Sequence, residues 1–387
     1  MEDDQHNCKQ CASNGDSGCT GCKIRSFTSQ DSNNNYERFG ITTVGNDGIT
    51  LTFQGDAGNR GQRLMGLHKS DDRYFNIPFG EPGFEEISFE VDVSDVKCTY
   101  NAAIYMVAMR TDTFDLANCG VGYADAQCPT DMQVNPDGTP GQPLGASTTW
   151  NCATEMDLME VNREASAFTT HPCASSTNGG SVCRDNENDC KAKCDRPGCD
   201  WNPYRTASLT QNEVARNFYG YGSEFQINTE RPFYVISSYD KATKTFRQRF
   251  EQDEKTLDFP PVTTNLGTPE QQTHEQLTDA YCAAWHDASS PDVPNQNQLL
   301  GGNCQMETVA RQNDGLVLVI SLWDDFNHDT GKGTNMAWLD STFPQNSPNA
   351  TDVRGRCPFA ETPKDPVGVK ATYRDFRFGK IGYTRST

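Results

Sequence analysis

Three carboxylates, Glu155, Asp157 and Glu160, lie within six consecutive residues of the chain. Side chains alternate between the two faces of a β-strand, so if Met156 and Leu158 face a core, the first two carboxylates share the opposite face. The third lies five positions after the first and would point to the wrong face of a regular strand. We therefore predict that a bulge or a bend interrupts this strand, because only then do all three carboxylates converge.

Two carboxyl groups held at a fixed separation hydrolyse glycosidic bonds, one as the acid and the other as the nucleophile or base. Their separation is about 5 to 5.5 Å in enzymes that retain the anomeric configuration and larger in enzymes that invert it. On the shared face, Asp157 would hold Glu155 in position. Its like charge would also raise the pKa of the neighbouring glutamate. The chain contains 53 acidic residues, so spacing alone does not distinguish a catalytic site from an acidic surface.

The elements that would position these carboxylates are mostly strands. Apolar and polar residues alternate in 49–53 and again in 87–93, as expected of half-buried strands. Further strands are predicted at 102–109, 233–238, 245–252, 316–323 and 369–378. Only 270–285 and 306–312 show a helical pattern. A succession of strands without intervening helices predicts an antiparallel β-sandwich.

The composition agrees with a β-protein that has long surface loops, since only 35% of the 387 residues are hydrophobic and 32 are Gly and 20 Pro. We predict one large catalytic domain over 36–387. Residues 1–35 form a separate Cys-rich segment of unclear role, with Cys-x-x-Cys pairs at 8–11 and 19–22. Their separation is shorter than in a zinc ribbon, so we predict that these cysteines form disulfides.

Charge and cysteine content indicate the compartment and exclude some partners. A net charge of −20 repels phosphates, which argues against nucleic acid and anionic membranes as partners. The longest apolar run, 316–322, is too short to span a membrane. Sixteen cysteines favour disulfides formed outside the cytosol, so we expect a secreted, extracellular protein. We also expect it to be a monomer. The first residues show neither the basic nor the apolar region of a signal peptide.

The carboxylate segment has a specific resemblance. The sequence Glu155-Met-Asp-Leu-Met-Glu160, followed by Thr-His171-Pro-Cys, resembles the active-site stretch of glycoside hydrolase family 7, the fungal-type cellobiohydrolases and endoglucanases. Further matches occur in the family's order at 122–129, 199–205, 321–325, 338–342, 353–355 and 378–382. The resemblance implies an all-β, concanavalin-like antiparallel β-sandwich, or jelly roll, with long loops over a concave substrate cleft or tunnel.

The resemblance also implies roles for individual residues. Glu155 would be the nucleophile, Asp157 its partner and Glu160 the acid/base. The implied substrate-binding residues are Tyr123, Gln127, His171, Arg205, Trp323, Trp338 and Arg354. Sugar rings stack on indole through their C–H faces, and their hydroxyls suit the fixed fork of arginine. Without the resemblance, a lone Trp in an apolar run would more often be buried beneath the sheet, and a lone His would more often be structural.

We therefore predict retaining hydrolysis of β-1,4-glucosidic bonds in cellulose, with an acidic to neutral optimum bounded by two limbs. No cofactor or metal is expected, since the calcium-like segment 325–336 has its glycine one place late and Met at position twelve. Segments 201–205 and 323–325 resemble the tunnel-forming branch of the family, which favours a cellobiohydrolase. Because the stretch between Cys128 and Glu155 is intermediate in length, an endo-β-1,4-glucanase with an open cleft is the alternative.

A glucan-binding lectin on the same kind of sandwich is the alternative from a different class, because one fold often hosts unrelated functions. A lectin needs no pair of carboxylates. Binding to cellulose without release of soluble sugar would therefore distinguish a lectin from a hydrolase.

Overall fold

The computed structural model describes residues 37, 40–53, 61–66, 74–109, 123–129, 150–173, 181–183, 192–205, 213–264, 269–289, 315–325, 336–342, 353–358 and 368–385. The strands are β1 Ile41–Val44, β2 Gly48–Thr52, β3 Gln62–Met65, β4 Asn76–Ile77, β5 Glu86–Asp92, β6 Asn101–Val107, β7 Trp150–Cys152, β8 Glu155–Val161, β9 Ser166–His171, β10 Ser181–Cys183, β11 Cys199–Trp201, β12 Tyr219–Gly220, β13 Ile227–Asn228, β14 Phe233–Asp240, β15 Thr245–Gln252, β16 Lys255–Asp258, β17 Val262–Thr264, β18 Gln272–His274, β19 Leu316–Trp323 and β20 Lys370–Gly379. The helices are α1 Glu213–Arg216, α2 Asp279–Ser289 and α3 Ala337–Asp340.

Two seven-stranded sheets dominate the described residues. The first, here called the outer sheet, has the order β1-β2-β20-β5-β14-β15-β16. The second, the inner sheet, has the order β11-β9-β8-β6-β19-β3, with β4 also paired to β19. All neighbouring strands in both sheets are antiparallel. The predicted antiparallel sandwich is therefore confirmed.

The main core lies between the two sheets and follows from the period-two pattern of the strands. On β5 and just beyond it, Ile87, Phe89, Val91 and Val93 are almost fully buried in this core, whereas Glu90 is only half-buried. Strand β6 is buried along its whole length, because its other face meets a second apolar cluster on the far side of the inner sheet. The three clustered carboxylates of β8 thus lie on a sheet that is packed on both faces.

Most predicted strands agree with the structure, and one predicted helix is partly wrong. The predicted strands 245–252 and 316–323 coincide with β15 and β19. The predicted helix 270–285 is instead the strand β18, which pairs with β17, followed by α2. Thr278 marks the start of the helix, because its Oγ1 accepts a hydrogen bond from Tyr281 N at 3.1 Å. The predicted helix 306–312 and the predicted disulfides of 1–35 lie outside the described residues.

Four disulfides link described residues: Cys98–Cys357, Cys128–Cys152, Cys173–Cys194 and Cys199–Cys282. Each one joins segments that lie at or next to the inner sheet, which contributes to holding the loops in place. Among the described residues, no helix has the length and apolar character needed to cross a membrane.

Candidate active site

The three clustered carboxylates lie on β8, in the middle of the inner sheet, and β8 is irregular as predicted. Against β6 the register shifts between Ile104 and Tyr105, so Leu158 has no partner there. Against β9 the register shifts between Asp157 and Glu160. Strand β8 therefore carries one residue more than its neighbours need, which defines a β-bulge at Leu158.

The bulge changes which side chains face the core. Before it, Met156 and Leu158 point into the main core; after it, Met159 and Val161 do so. Since the alternation restarts one residue late, Glu160 returns to the face that carries the other two carboxylates. One inserted residue thus brings three acidic groups onto the same side of the inner sheet.

Glu155, Asp157 and His171 form a buried chain of contacts on that side. Glu155 and His171 are direct cross-strand partners, and each is less than 10% exposed. Asp157 Oδ2 lies 2.9 Å from His171 Nε2, and Asp157 shares the face of β8 with Glu155, two residues before it. On its other side, His171 Nδ1 lies 2.8 Å from Asp195 O.

These contacts indicate which of the buried side chains carry a proton. A backbone carbonyl only accepts hydrogen bonds, so His171 Nδ1 must carry a hydrogen that it donates to Asp195 O. Burial raises the pKa of the Glu155 and Asp157 carboxyls; like charge on Asp157 and Asp125 raises that of Glu155 further, and His171 lowers it. The pair therefore shares one proton over an extended pH range.

A backbone amide also contacts Glu155. Ala126 N donates a hydrogen bond to Glu155 Oε2 at 3.1 Å, which lowers the pKa of this carboxyl by stabilising its charge. The loop 123–129 that supplies this amide is tied to β7 by the disulfide Cys128–Cys152. It is tied to the start of β8 by a hydrogen bond of 2.9 Å from Ala153 N to Asp125 O.

Glu160 has a different environment from the other two carboxyls. Burial is the main cause that raises its pKa to about 7, while His171 and a hydrogen bond from Asn101 lower it. That hydrogen bond runs from Asn101 Nδ2 to Glu160 Oε1 at 2.9 Å. A carboxyl group with this pKa is largely protonated in mildly acidic solution, which is the state that a general acid needs.

Two tyrosines close the side of the site next to Glu155. Tyr105 on β6 and Tyr123 share a hydrogen bond of 2.8 Å between their hydroxyls, and the guanidinium of Arg63 lies 4.1 Å above the Tyr123 ring. Burial raises the pKa of both phenols, so they stay neutral. The predicted substrate-binding residue Tyr123 is thus almost fully buried next to the site.

The predicted residues Arg205 and Arg354 lie together near β11, where they flank Asp200. Arg205 Nη1 forms an ion pair with Asp200 Oδ1, and Arg354 Nη1 lies 3.7 Å from Asp200 Oδ2. Asn202 connects the backbone of the same region, because its Nδ2 donates to Leu339 O and to Arg354 O. Charge on Asp200 also raises the pKa of Glu160, so this cluster and the acid group share one electrostatic environment.

The predicted tryptophans are neighbours. The rings of Trp323 and Trp338 stack with centroids 6.3 Å apart and an interplanar angle of 29°, and both are half-buried against the small side chains of Ala165 and Ala167. Trp323 ends β19 directly opposite Asn101. Because Trp323 is only half-buried, the alternative that it is buried beneath the sheet is wrong. Their role as sugar-stacking residues stays a prediction.

Gln127 is the most exposed of the predicted residues. Its side chain lies at the surface of the loop 123–129, where its Nε2 donates to Arg196 O at 3.0 Å and its Oε1 accepts from Arg196 Nε at 3.1 Å. These contacts hold the Gln127 amide against Arg196.

Glu155, Asp157 and His171 are also a possible cation site, since their ligand atoms lie within 4.8 Å of one another. The hydrogen bonds of the buried chain already use these atoms. In the calcium-like segment, Asp325 Oδ1 accepts a hydrogen bond from Met336 N at 2.9 Å, and the residues between them lie outside the described ranges.

Sequence reasoning missed several residues that contact the carboxylates, notably Asn101, Tyr105 and the amide of Ala126. Tyr105 lies on the predicted strand 102–109, and Asn101 directly precedes that strand, so alternation places both on one face but does not identify the carboxylates as their neighbours. The Ala126 amide carries no signal in the sequence, since every residue except proline has one.

Comparison with known proteins gives one consistent result. The family described as glycosyl hydrolase family 7 matches residues 1–385. The fold is similar to a crystal structure of a family 7 cellobiohydrolase from Daphnia pulex, with a TM-score of 0.71 and 30% identity over 90% of this chain and 82% of that one. It is also similar to a cellobiohydrolase from Melanocarpus albomyces complexed with cellotetraose, with a TM-score of 0.71 and 29% identity over 91% and 83% of the two chains. An endocellulase from Humicola insolens matches with a TM-score of 0.68 and 27% identity over 91% and 80%.

Proposed function

The chain belongs to glycosyl hydrolase family 7 and is a glycoside hydrolase, and from this membership we propose that it hydrolyses cellulose with retention of the anomeric configuration. The observation that carries the proposal is the bulge at Leu158, which turns Glu155, Asp157 and Glu160 onto one face of the inner sheet. Two carboxyls with different environments on one face are what a double displacement requires.

In the first step of this proposal, Glu160 is the acid and Glu155 the nucleophile. Glu160 gives its proton to the glycosidic oxygen while Glu155 forms a bond to the anomeric carbon, and the leaving sugar departs as an alcohol. The proton shared by Glu155 and Asp157 must then lie on Asp157, so that Glu155 is ionised. The Ala126 amide and His171 support that state, because both lower the pKa of Glu155.

In the second step, water releases the glycosyl group. Glu160, now ionised, removes a proton from a water molecule that attacks the anomeric carbon, and the bond to Glu155 breaks. The hydroxyl of the product takes the face that the leaving sugar had occupied. Glu160 ends protonated and Glu155 ionised, so the enzyme returns to its starting state.

We propose that the substrate is a β-1,4-glucan chain bound along the same face of the inner sheet. Indole rings of Trp323 and Trp338 offer apolar faces for sugar stacking. The guanidinium groups of Arg205 and Arg354, already held by Asp200, offer donors for sugar hydroxyls. Tyr123, Gln127 and His171 complete the proposed binding set.

Within the family we propose a cellobiohydrolase that releases cellobiose. The TM-scores to cellobiohydrolases, 0.71, and to the endocellulase, 0.68, are too close to rank the two actions. The support is the resemblance of 201–205 and 323–325 to the tunnel-forming branch. We further propose that the protein is secreted and monomeric, and the four disulfides among the described residues are consistent with an oxidising compartment.

The experiment is a comparison of soluble products from crystalline cellulose and from carboxymethyl-cellulose. Native protein, Glu155→Gln and the control Glu164→Gln, a half-buried glutamate in the turn after β8, are assayed side by side. We expect mostly cellobiose, released first as the β-anomer, from the native protein and the control. Loss of the nucleophile should lower kcat by at least about a thousandfold.

Other outcomes are equally informative. A rapid fall in the viscosity of carboxymethyl-cellulose with mixed oligomers would show endoglucanase action. Release of the α-anomer would exclude retention. Cellulose binding without soluble sugar from any of the three proteins would show a lectin.

A further inference from the structure

The bulge on β8 leaves the backbone of Leu158 outside both ladders, since this residue has no register partner on β6 or on β9. A buried carbonyl that leaves a ladder still needs a hydrogen-bond donor, because a buried carbonyl without one destabilises the fold. Leu158 is fully buried, so water does not reach this side of the strand. The donor has to come from the protein interior.

Gln248 supplies that donor from the opposite sheet. Its side chain crosses the main core from β15, and Nε2 donates a hydrogen bond to Leu158 O. The second amide hydrogen goes to Ser237 Oγ at 3.0 Å, and Ser237 is the cross-strand partner of Gln248 on β14. Both hydrogens of the amide are used, which fixes its orientation.

A polar side chain is an unusual choice at this position. Gln248 is 3% exposed and Ser237 is fully buried, and Phe246 and Phe250 on either side of the glutamine along β15 are core residues. Burying an amide in an apolar core is unfavourable unless its hydrogen bonds are replaced. The arrangement is explained if the outer sheet is holding the carbonyl of the bulge.

The bulge determines the direction of Glu160, which follows Leu158 by two residues. We propose that Gln248 is a positioning residue for the acid/base: by holding the Leu158 carbonyl, it fixes the bulge that turns Glu160 toward the glycosidic oxygen. This inference rests on the proposed role of Glu160. Gln248 lies on the far side of β8 from the carboxylates and acts only through the backbone.

The test uses aryl β-cellobiosides whose leaving groups range from strongly acidic to weakly acidic phenols. A weakly acidic phenol needs protonation by Glu160 to depart, whereas dinitrophenol hardly does. Gln248→Met keeps the length of the side chain and removes the donor. We expect kcat/KM to fall about ten- to hundredfold for the weakly acidic phenols and less than about twofold for dinitrophenol.

Gln252→Met is the matched control. Gln252 is also a buried glutamine on β15, but its Nε2 donates to Asn228 O at 2.9 Å, remote from the bulge. We expect its rate constants to change equally for all leaving groups. If Gln248→Met shows the same uniform change, the side chain is merely structural and the inference is wrong.

Two further variants keep the outcome interpretable. Glu160→Gln sets the maximum dependence on the leaving group; if it shows none, the proposed function of Glu160 fails independently of Gln248. Ser237→Ala removes the second anchor of the amide with a small change in volume, and it replaces Gln248→Met if that variant does not fold. A dependence on the leaving group in Ser237→Ala supports the inference, and a uniform effect overturns it.

Discussion

At the scale of single residues, two opposing effects act on the pKa of Glu160, the proposed acid group. Burial raises the pKa of Glu160 to about 7, and the hydrogen bond from Asn101 Nδ2 opposes that rise by stabilising the carboxylate. The pKa of the free enzyme's acid determines where kcat/KM falls as the pH increases. Asn101 should therefore set the position of the alkaline limb.

Replacing Asn101 with Ala tests this relation. The carboxylate of Glu160 loses a donor, its pKa rises above about 7, and the protonated acid persists to higher pH. We expect the alkaline limb of kcat/KM, measured on a soluble aryl cellobioside, to move upward by about one pH unit. Asn228→Ala, which removes a buried asparagine of β13, should leave the limb in place. A downward shift, or none, in Asn101→Ala would contradict the assignment.

Residue spacing predicted part of this site. The five-residue step from Glu155 to Glu160 required an irregular strand, and the structure has a bulge between them. The contacts made by Asn101 and by the Ala126 amide were not predictable, because they depend on strand pairing and loop placement over tens of residues of sequence. Local periodicity gives the face of a side chain and not its neighbour.

At the scale of elements, the loop 123–129 links a disulfide to Glu155, the proposed nucleophile. Cys128–Cys152 fixes the loop, the loop presents the Ala126 amide, and the amide donates to Glu155 Oε2 at 3.1 Å. Cys199–Cys282 has a different position, since it joins β11 to α2. The two disulfides close chain segments with separations of 24 and 83 residues.

Removing each disulfide by paired Cys→Ser substitution should separate activity from stability. Cys128–Cys152 closes the shorter loop, so its loss should lower the free energy of unfolding by about 3 kcal/mol. Loss of Cys199–Cys282, which closes the longer loop, should lower it by about 4 kcal/mol. We expect kcat to fall severalfold only in the first variant, because only there is the amide donor released. Denaturant unfolding and kcat on one substrate measure both quantities. A larger kcat loss in the second variant would contradict this role of the loop.

Elements differed in how well the sequence predicted them. Strands β15 and β19 have the predicted limits. Apolar residues alternate along β15 and run almost continuously along β19, and both patterns are typical of strands in a packed sandwich. The helix at 270–285 was predicted too long, since residues Gln272–His274 pair with β17 as a strand. Pairing with the neighbouring strand β17 overrides a weak helical preference.

At the scale of the whole molecule, a buried aspartate joins three parts of the chain. Asp340 at the end of α3 is 1% exposed. Its Oδ2 accepts hydrogen bonds from Thr99 N at 2.8 Å, before β6, and from Asn162 Nδ2 at 2.6 Å, after β8. Through these bonds the helix that carries Trp338 is attached to the strands that carry Asn101 and the proposed catalytic carboxylates. Ionisation of Asp340 therefore affects the stability of the whole assembly.

Burial raises the pKa of Asp340 to about 7, although both hydrogen bonds lower it. In the unfolded chain this pKa is about 3.9, so between these two values the native state binds more protons than the unfolded state. The contribution of Asp340 to stability is therefore fully present below about pH 4 and is lost as the pH rises through about 7. A difference of three pKa units sets a ceiling of about 4 kcal/mol on the loss.

Asp340→Asn removes this titration while its amide oxygen still accepts from Thr99 and Asn162. We expect the unfolding free energy of the variant, relative to the native protein, to increase steadily between pH 4 and pH 8, because only the native protein has to ionise a buried group. Denaturant unfolding at several pH values gives this difference directly. Asp95→Asn, which removes the same charge from a side chain that is 48% exposed, should give a nearly constant difference. A constant difference in Asp340→Asn would show that folding leaves the pKa of Asp340 unchanged, and a falling difference would show that the fold stabilises its ionised form; either result would contradict this prediction.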